Sequence, residues 1–269
     1  MGENPVIARA DLHFWEEPPI SAENGSGTIF FSGCNLQCIF CQNEKISRGN
    51  FGKEITINEL KSEYKKLIEK GAHNINLVTP THFIDAIIKS LDEPLSVPVV
   101  YNCGGYERLD SLKKLENKID IYIPDLKYSD DNLAKKYSNA PDYFGTATRA
   151  IKEMYRQTGN YIIDEDGIMQ KGVIIRHLIL PGQTENTKRV IDWVKNNFNT
   201  GEVLFSLMSQ FTPISSCSID SLGRRLTQEE YDEIEEYLYN SGIEDGFMQE
   251  LSSASEEYVP SFNLGENIL

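Results

Sequence analysis

Thr28-Ile29-Phe30-Phe31-Ser32-Gly33-Cys34-Asn35-Leu36-Gln37-Cys38-Ile39-Phe40-Cys41 joins an apolar run to three cysteines spaced C-x3-C-x2-C. The run Thr28 to Phe31 is β-branched and aromatic, which predicts a buried strand ending at Ser32-Gly33. The cysteines then fall in the loop that the strand delivers. Clustered thiolates are soft ligands suited to zinc and to iron–sulfur clusters. The chain has five cysteines, the others being Cys103 and Cys217, and no second C-x2-C. A four-iron cluster normally takes four thiolates, so three would leave one iron open to a substrate or cofactor. Two other readings fit the same residues. One is zinc completed by a distant His, and the other is three buried thiols packing as small hydrophobes.

Outward from this stretch the apolar pattern alternates. Thr56 and Glu59 form a capping box, and Leu60, Tyr64, Leu67 and Ile68 make one helical stripe that Gly71 ends. Ile75–Val78 reads as a strand, and Phe83 to Leu91 as a helix face. Val97–Tyr101 and Ile119–Ile123 read as strands on either side of a short helix around Leu112. Helices follow near Asp130–Tyr137 and Tyr143–Gln157, then a hairpin about Asp164-Glu165-Asp166-Gly167. Strands at Val173–Leu180 and Val203–Met208 flank a helix through Val190 and Val194. Thr227 and Glu230 cap a last long helix, and Phe247–Leu251 reads as a final strand. Strands alternating with helices predict parallel βαβ units, about six here. They make an open doubly wound sheet or a partial barrel, with ligands at the carboxyl ends of the strands. No linker divides residues 1–269, so one domain is expected, with an N-terminal segment 1–27 and a C-terminal tail 252–269 against it.

The 269 residues are 40% hydrophobic and 25% charged, with a net charge of -15. That charge opposes binding to nucleic acid and to an anionic membrane surface. No stretch reaches the roughly 20 apolar residues of a spanning helix, and Met1 to Trp15 lacks a signal-peptide profile. A cytoplasmic location follows as the expectation, and an odd number of cysteines there does not read as a disulfide framework.

The segment Gly33 to Cys41, with the aromatic Phe40 before its last cysteine, resembles the cluster motif of radical S-adenosylmethionine (SAM) enzymes. The chain is further similar to the pyruvate formate-lyase activating enzyme group, and to an activase-like branch of it. Glu16-Glu17-Pro18-Pro19-Ile20-Ser21, Val78-Thr79-Pro80-Thr81-His82, Asp125-Leu126-Lys127 and Ser253-Ala254-Ser255-Glu256-Glu257-Tyr258-Val259-Pro260 carry this likeness across nearly the whole chain. The resemblance implies a partial (β/α)6 barrel in which Cys34, Cys38 and Cys41 hold a [4Fe-4S] cluster. SAM chelates the fourth iron through its amino and carboxylate groups, and reductive cleavage yields a 5′-deoxyadenosyl radical that abstracts a hydrogen atom. It implies Phe40 beside the cofactor, Arg176 on the SAM carboxylate, and Asp125 and Lys127 toward ribose, a cation or the substrate. Thr79 and Thr81 stand where the group carries a Gly-Gly-Glu-Pro segment for the SAM amino group, and Asn102-Cys103 replaces its Asp-Thr. The implied partners are a glycyl-radical protein substrate and a flavodoxin- or ferredoxin-type electron donor.

Other residues admit simpler roles. His177 follows Arg176 on one strand, so alternation turns it to the opposite face. His13 either anchors the N-terminus or covers the cluster, and His82 either starts a helix or serves the site. Cys103, after a strand end, reads as a lone buried thiol or one near the site, Cys217 as an incidental thiol, Arg224-Arg225 as a solvated pair or a hold for an anionic partner, and Glu229–Glu236 as a solvated face. Glu16–Ser21 and Tyr258–Phe262 either form the rim of a lateral opening or are only packed termini. The expected activity is activation of a glycyl-radical enzyme by hydrogen abstraction from glycine. Radical modification of another peptide or a small molecule is one rival, and a zinc-binding or redox-sensing module is another.

Overall fold

The computed structural model describes residues 4–49, 51–214, 219–251 and 262. The strands are β1 (Val6–His13), β2 (Ser26–Phe31), β3 (Lys53–Glu54), β4 (Ile75–Val78), β5 (Val99–Cys103), β6 (Ile121–Pro124), β7 (Ile162–Ile163), β8 (Met169–Leu178), β9 (Leu204–Met208) and β10 (Gly246–Met248). Their order across the sheet is β10-β9-β8-β6-β5-β4-β2-β1-β3, with β7 folded back on β8. Neighbours from β2 through β10 run parallel, while β1 and β3 are antiparallel additions at one edge. Each parallel step is made by a helical crossover, and the two sheet ends do not meet. The result is a partial (β/α)6 barrel, its strands buried on both faces as parallel sheets require.

Local chemistry accounts for the elements. Thr56 accepts from the Glu59 amide while Glu59 reaches back to the Thr56 amide, opening the helix Ile57–Glu69. Thr227 and Glu230 do the same for the helix Gln228–Ser241. Leu60, Tyr64 and Leu67 turn inward together, at the spacing of one helix face. Asp164 accepts from the Asp166 and Ile168 amides and shapes the hairpin of β7 and β8.

Three departures from the sequence reading are informative. The strand β1 lies within the N-terminal segment and was not legible there. A register shift between Ile7 and Arg9 breaks its two-residue period. The strands β5 and β6 end later than expected, at Cys103 and Pro124, because their ladder continues through Asn102–Ile123 and Cys103–Pro124 beyond the apolar runs that mark them. The third departure corrects the placing of Glu16–Ser21 at a rim. The short helix Pro18–Ser21 enters the barrel, where Ile20 is fully buried with Val100, Ile121, Ile123, Met169, Ile174 and Leu204. Val100, Ile121, Met169 and Leu204 begin their strands or lie one position in, so Ile20 stoppers the amino end. Its burial contributes about 1.5–3 kcal/mol, which a surface rim would forgo. The Ser253–Pro260 stretch and Cys217 lie outside the described residues. Phe262 packs edge-on to Phe30 and accepts from Lys45 through its carbonyl.

Candidate active site

The cysteine loop leaves the end of β2 through Gly33, whose φ of 89° is one that side chains resist. It is fastened mainly by its backbone. The Gln37 and Ile39 amides donate to the carbonyls of Ser138 and Tyr137, at the end of the helix Asp131–Ser138. Arg48 donates to the carbonyls of Gln37 and Cys38, and Asn35 to that of Tyr106. Phe40 is buried against Phe211, ring centroids 5.9 Å apart, so at least part of its role is packing.

All three thiols are partly exposed and free of disulfides. Burial pushes the Cys34 thiol up to about 12 and raises Cys38 as well. Such thiols hold their protons until a metal displaces them. The Ser138 hydroxyl donates to Cys38 at 3.0 Å, and the Cys34 sulfur accepts from the Leu36 amide. These donors suit a sulfur that becomes anionic. Among the described residues no three His, Cys, Asp or Glu side chains converge on one point, as a single zinc would require. A four-iron cluster takes each thiolate on a different iron, so this donor set fits a cluster.

Beneath the loop, at the carboxyl ends of β5, β6 and β8, lies a buried ionic cluster. Arg176 donates from Nε to Asp125 at 3.0 Å, from Nη1 to Glu16 at 3.2 Å and from Nη2 to Asn102 at 2.6 Å. Asp125 also takes Lys127. Burial alone would raise Asp125, but Lys127 and Arg176 more than offset it and hold the carboxylate below its ordinary range. Burial lowers Lys127, while Asp125 outweighs it and keeps the ammonium charged. Glu16 goes the other way, raised by burial against the pull of Arg176. The guanidinium expected to hold a SAM carboxylate is therefore already engaged, and a ligand carboxylate would take the place of Glu16. His177 lies on the opposite face, bonded to the Leu126 carbonyl and to Thr187, and burial lowers it to about 4.

Thr79 and Thr81 follow β4. Thr79 has φ 57°, a left-handed conformation unusual for a β-branched residue. Its amide donates to the Asn102 carbonyl at 2.8 Å. This threonine adopts the backbone that a glycine would supply freely. The Thr81 hydroxyl donates to Glu107 at 2.5 Å, and Tyr101 adds a second donor at 3.2 Å. Thr81 is thus tied to a buried acid, which burial raises to about 7. Cys103 is buried within the electrostatic reach of Glu107 and stands apart from the loop cysteines.

Some site residues escaped the sequence reading. Tyr143 accepts from the Lys127 amide and sits 2.9 Å from the carbonyls of Gly104 and Asp125, clamping the ends of β5 and β6. Gly105, at φ 75°, lets them meet, since a Cβ there would lie 2.1 Å from the Asp125 carbonyl oxygen. Glu16 was quoted only as part of a motif, and Glu107 not at all. The partners of Glu16 are remote in sequence, so only the pairing of two adjacent acids with Pro18-Pro19 hinted at an unusual environment, and the donors to Glu107 follow no helix or strand period. Arg224 and Arg225 are exposed, but Arg224 is paired to Glu230, which is itself partly buried.

A cavity of about 230 Å³ opens beside the ionic cluster, walled in part by Trp15, Glu17, Asn43, Arg176, Met208 and Gln249. His13 lines it too.

The family model of the radical SAM superfamily matches residues 28–194. The chain belongs to the radical SAM superfamily, a class of enzymes that work with a [4Fe-4S] cluster and SAM. Within that class it is 30% identical over 238 residues to an uncharacterised protein of Methanocaldococcus jannaschii, covering 84% of this chain and 64% of that protein. It is 24% identical to the pyruvate formate-lyase-activating enzyme of Clostridium pasteurianum over 65% of this chain and 71% of that enzyme. The fold is similar to that of Streptococcus suis SuiB bound to SAM, with a TM-score of 0.56 and 13% identity over 84% of this chain and 50% of SuiB. The chain thus spans less than two thirds of the archaeal protein and half of SuiB. No helix among the described residues is long and apolar enough to cross a membrane.

Proposed function

We propose that this chain activates a glycyl-radical protein, abstracting a hydrogen atom from a glycine of its partner. The observation that supports it is the loop of Cys34, Cys38 and Cys41 beside Lys127, over the Arg176 cluster. The likeness to the Clostridium pasteurianum activating enzyme supports glycine as the target. In this reading the three thiolates hold the cluster and leave one iron for SAM. Bound there, the cluster and SAM supply, on reduction, a 5′-deoxyadenosyl radical able to take hydrogen from a carbon.

The chain's own residues bind and orient. Arg176 exchanges Glu16 for the SAM carboxylate, a charge-neutral swap for a fork that grips carboxylates bidentately. Asp125 holds Arg176 and Lys127 in place, and Lys127 keeps a positive charge near the sulfurs. The Thr79 backbone takes the place of the glycine segment, with Thr81 anchoring it through Glu107. Phe40 closes the loop against Phe211. A flavodoxin- or ferredoxin-type donor in the cytoplasm supplies the electron, and the fold acts as one domain.

The test uses anaerobically reconstituted protein with SAM, a reductant and a candidate glycyl-radical partner deuterated at glycine. Label in 5′-deoxyadenosine, together with a radical signal on the partner by electron paramagnetic resonance, is the expected result. Label arriving only from a small metabolite would replace the glycyl target with a small-molecule one.

A further inference from the structure

Two hydrogen-bond acceptor atoms in the cavity wall are unpaired among the described residues, although Ser206 bonds the Glu17 carboxyl. Glu17 Oε2 and Gln249 Oε1 are both buried without a donor among the described residues. Glu17 is only 8% exposed, and both side chains line the cavity. Leaving a buried carboxylate oxygen unpaired is costly, and such a group in a native wall calls for an account.

The charges facing the cavity sharpen the point. Its lining holds the carboxylates of Glu16 and Glu17 against one cation, Arg176. That guanidinium is already engaged by Glu16, Asp125 and Asn102. His13, the other titratable group of the lining, is lowered by burial and by Arg9, which keeps it neutral near pH 7. Burial raises Glu17 and Glu16 adds to it, against the pull of Arg176. The upward shift shows how poorly the Glu17 anion is compensated as it stands: by formal charge the lining sets two carboxyls against one guanidinium, with two buried acceptors unpaired among the described residues. Its complement is a group with several donors, no acceptor and a positive charge. An ammonium has that inventory. Trp15, 61% exposed on the same lining, offers an aromatic surface suited to a cation.

We propose that Glu17 and Gln249 bind a protonated amine carried by the substrate, on the reading above that this cavity adjoins a radical SAM centre. SAM does not supply that amine, because its amino group is committed to iron in that reading. The source is either a lysine side chain near the target glycine or a free amine. In both, the charge pair anchors the substrate while its reacting carbon faces the SAM side.

The experiment titrates cluster-loaded, SAM-bound enzyme with 1,5-diaminopentane and with 1,5-pentanediol by calorimetry. The diamine should bind saturably, about tenfold or more tighter than the diol. Glu17→Gln and Gln249→Leu should each weaken the diamine by about tenfold, with iron content and SAM affinity unchanged. A glycine–lysine dipeptide that displaces the diamine where glycine–norleucine does not would place the amine on a polypeptide. Displacement by neither would assign a free amine. Equal binding of diol and diamine, or unaltered diamine binding in both variants, would overturn the proposal. So would a matching loss of SAM affinity in Glu17→Gln, which would return the orphan oxygen to SAM. Wild-type protein that takes up iron but no SAM would sink the radical reading itself, before any amine is added.

Discussion

Cys34, Cys38 and Cys41 lie within eight residues of one another and are positioned by backbone bonds from Ser138, Tyr137 and Arg48. The partners of Arg176 arrive from residues 16, 102 and 125 and are positioned by charge. The loop is local, partly exposed and held mainly by its backbone, so an altered side chain costs it little beyond the Ser138–Cys38 and Leu36–Cys34 bonds. The ionic cluster is non-local and buried, and removing one member leaves the others uncompensated. One region should therefore lose its ligand without losing structure, and the other should lose structure when its chemistry is altered.

The largest expected effect tests the first half. Cys34→Ala, Cys38→Ala or Cys41→Ala should each abolish stable cluster binding, read as iron and sulfide per chain, with the apo-protein melting unchanged. Cys103→Ala should keep its iron. Iron retained after loss of a loop cysteine, or lost with Cys103, would break the contrast.

Arg176→Ala tests the second half. It leaves Glu16 buried without a cation and Asp125 with Lys127 alone, so the apo-protein should lose about 3–5 kcal/mol in denaturant unfolding. SAM affinity should fall as well. A variant as stable as wild type would show that the cluster is not what organises the barrel mouth.

A smaller effect concerns Glu107, buried like the cluster but held only by neutral donors. A glutamate ordinarily ionises near 4.5, and Glu107 keeps its proton to about 7. Between those values the folded chain binds more proton than the unfolded one. Stability therefore falls as pH rises through that window, by up to about 1.4 kcal/mol per pH unit. Above 7 the whole cost stands, on the order of 3 kcal/mol. Glu107→Gln should flatten the difference in unfolding free energy between pH 5 and pH 8. An unchanged difference would place that titration elsewhere.

The same contrast explains what could be read before the structure. The alternation of strands and helices, both capping boxes and the cysteine spacing are local patterns, and the fold and the loop followed from them. The segment around Arg176 singled it out for the SAM carboxylate, and strand alternation gave its opposition to His177. Its grip on Glu16 was not, because no periodicity links residues 160 positions apart. Glu107 and Tyr143 were hidden for the same reason, and β1 because a bulge interrupts its pattern. The burial of Ile20 was illegible because Pro18-Pro19 reads as surface punctuation, whereas here proline opens a short helix inside the barrel.

The stopper formed by Pro18–Ser21 also orders events in time. It is synthesised before the strands it packs on, yet Ile20 packs on Val100, Ile121, Ile174 and Leu204, and Glu16 needs Arg176. The strand β1 can pair with β2 early, while residues 16–21 must wait for most of the barrel to leave the ribosome. Contacts of such long sequence separation are slow to form, so the ionic cluster is completed late. A chain halted before β8 would hold its cysteine loop but lack Arg176, and would present Glu16 and Ile20 to solvent as a ready target for a chaperone.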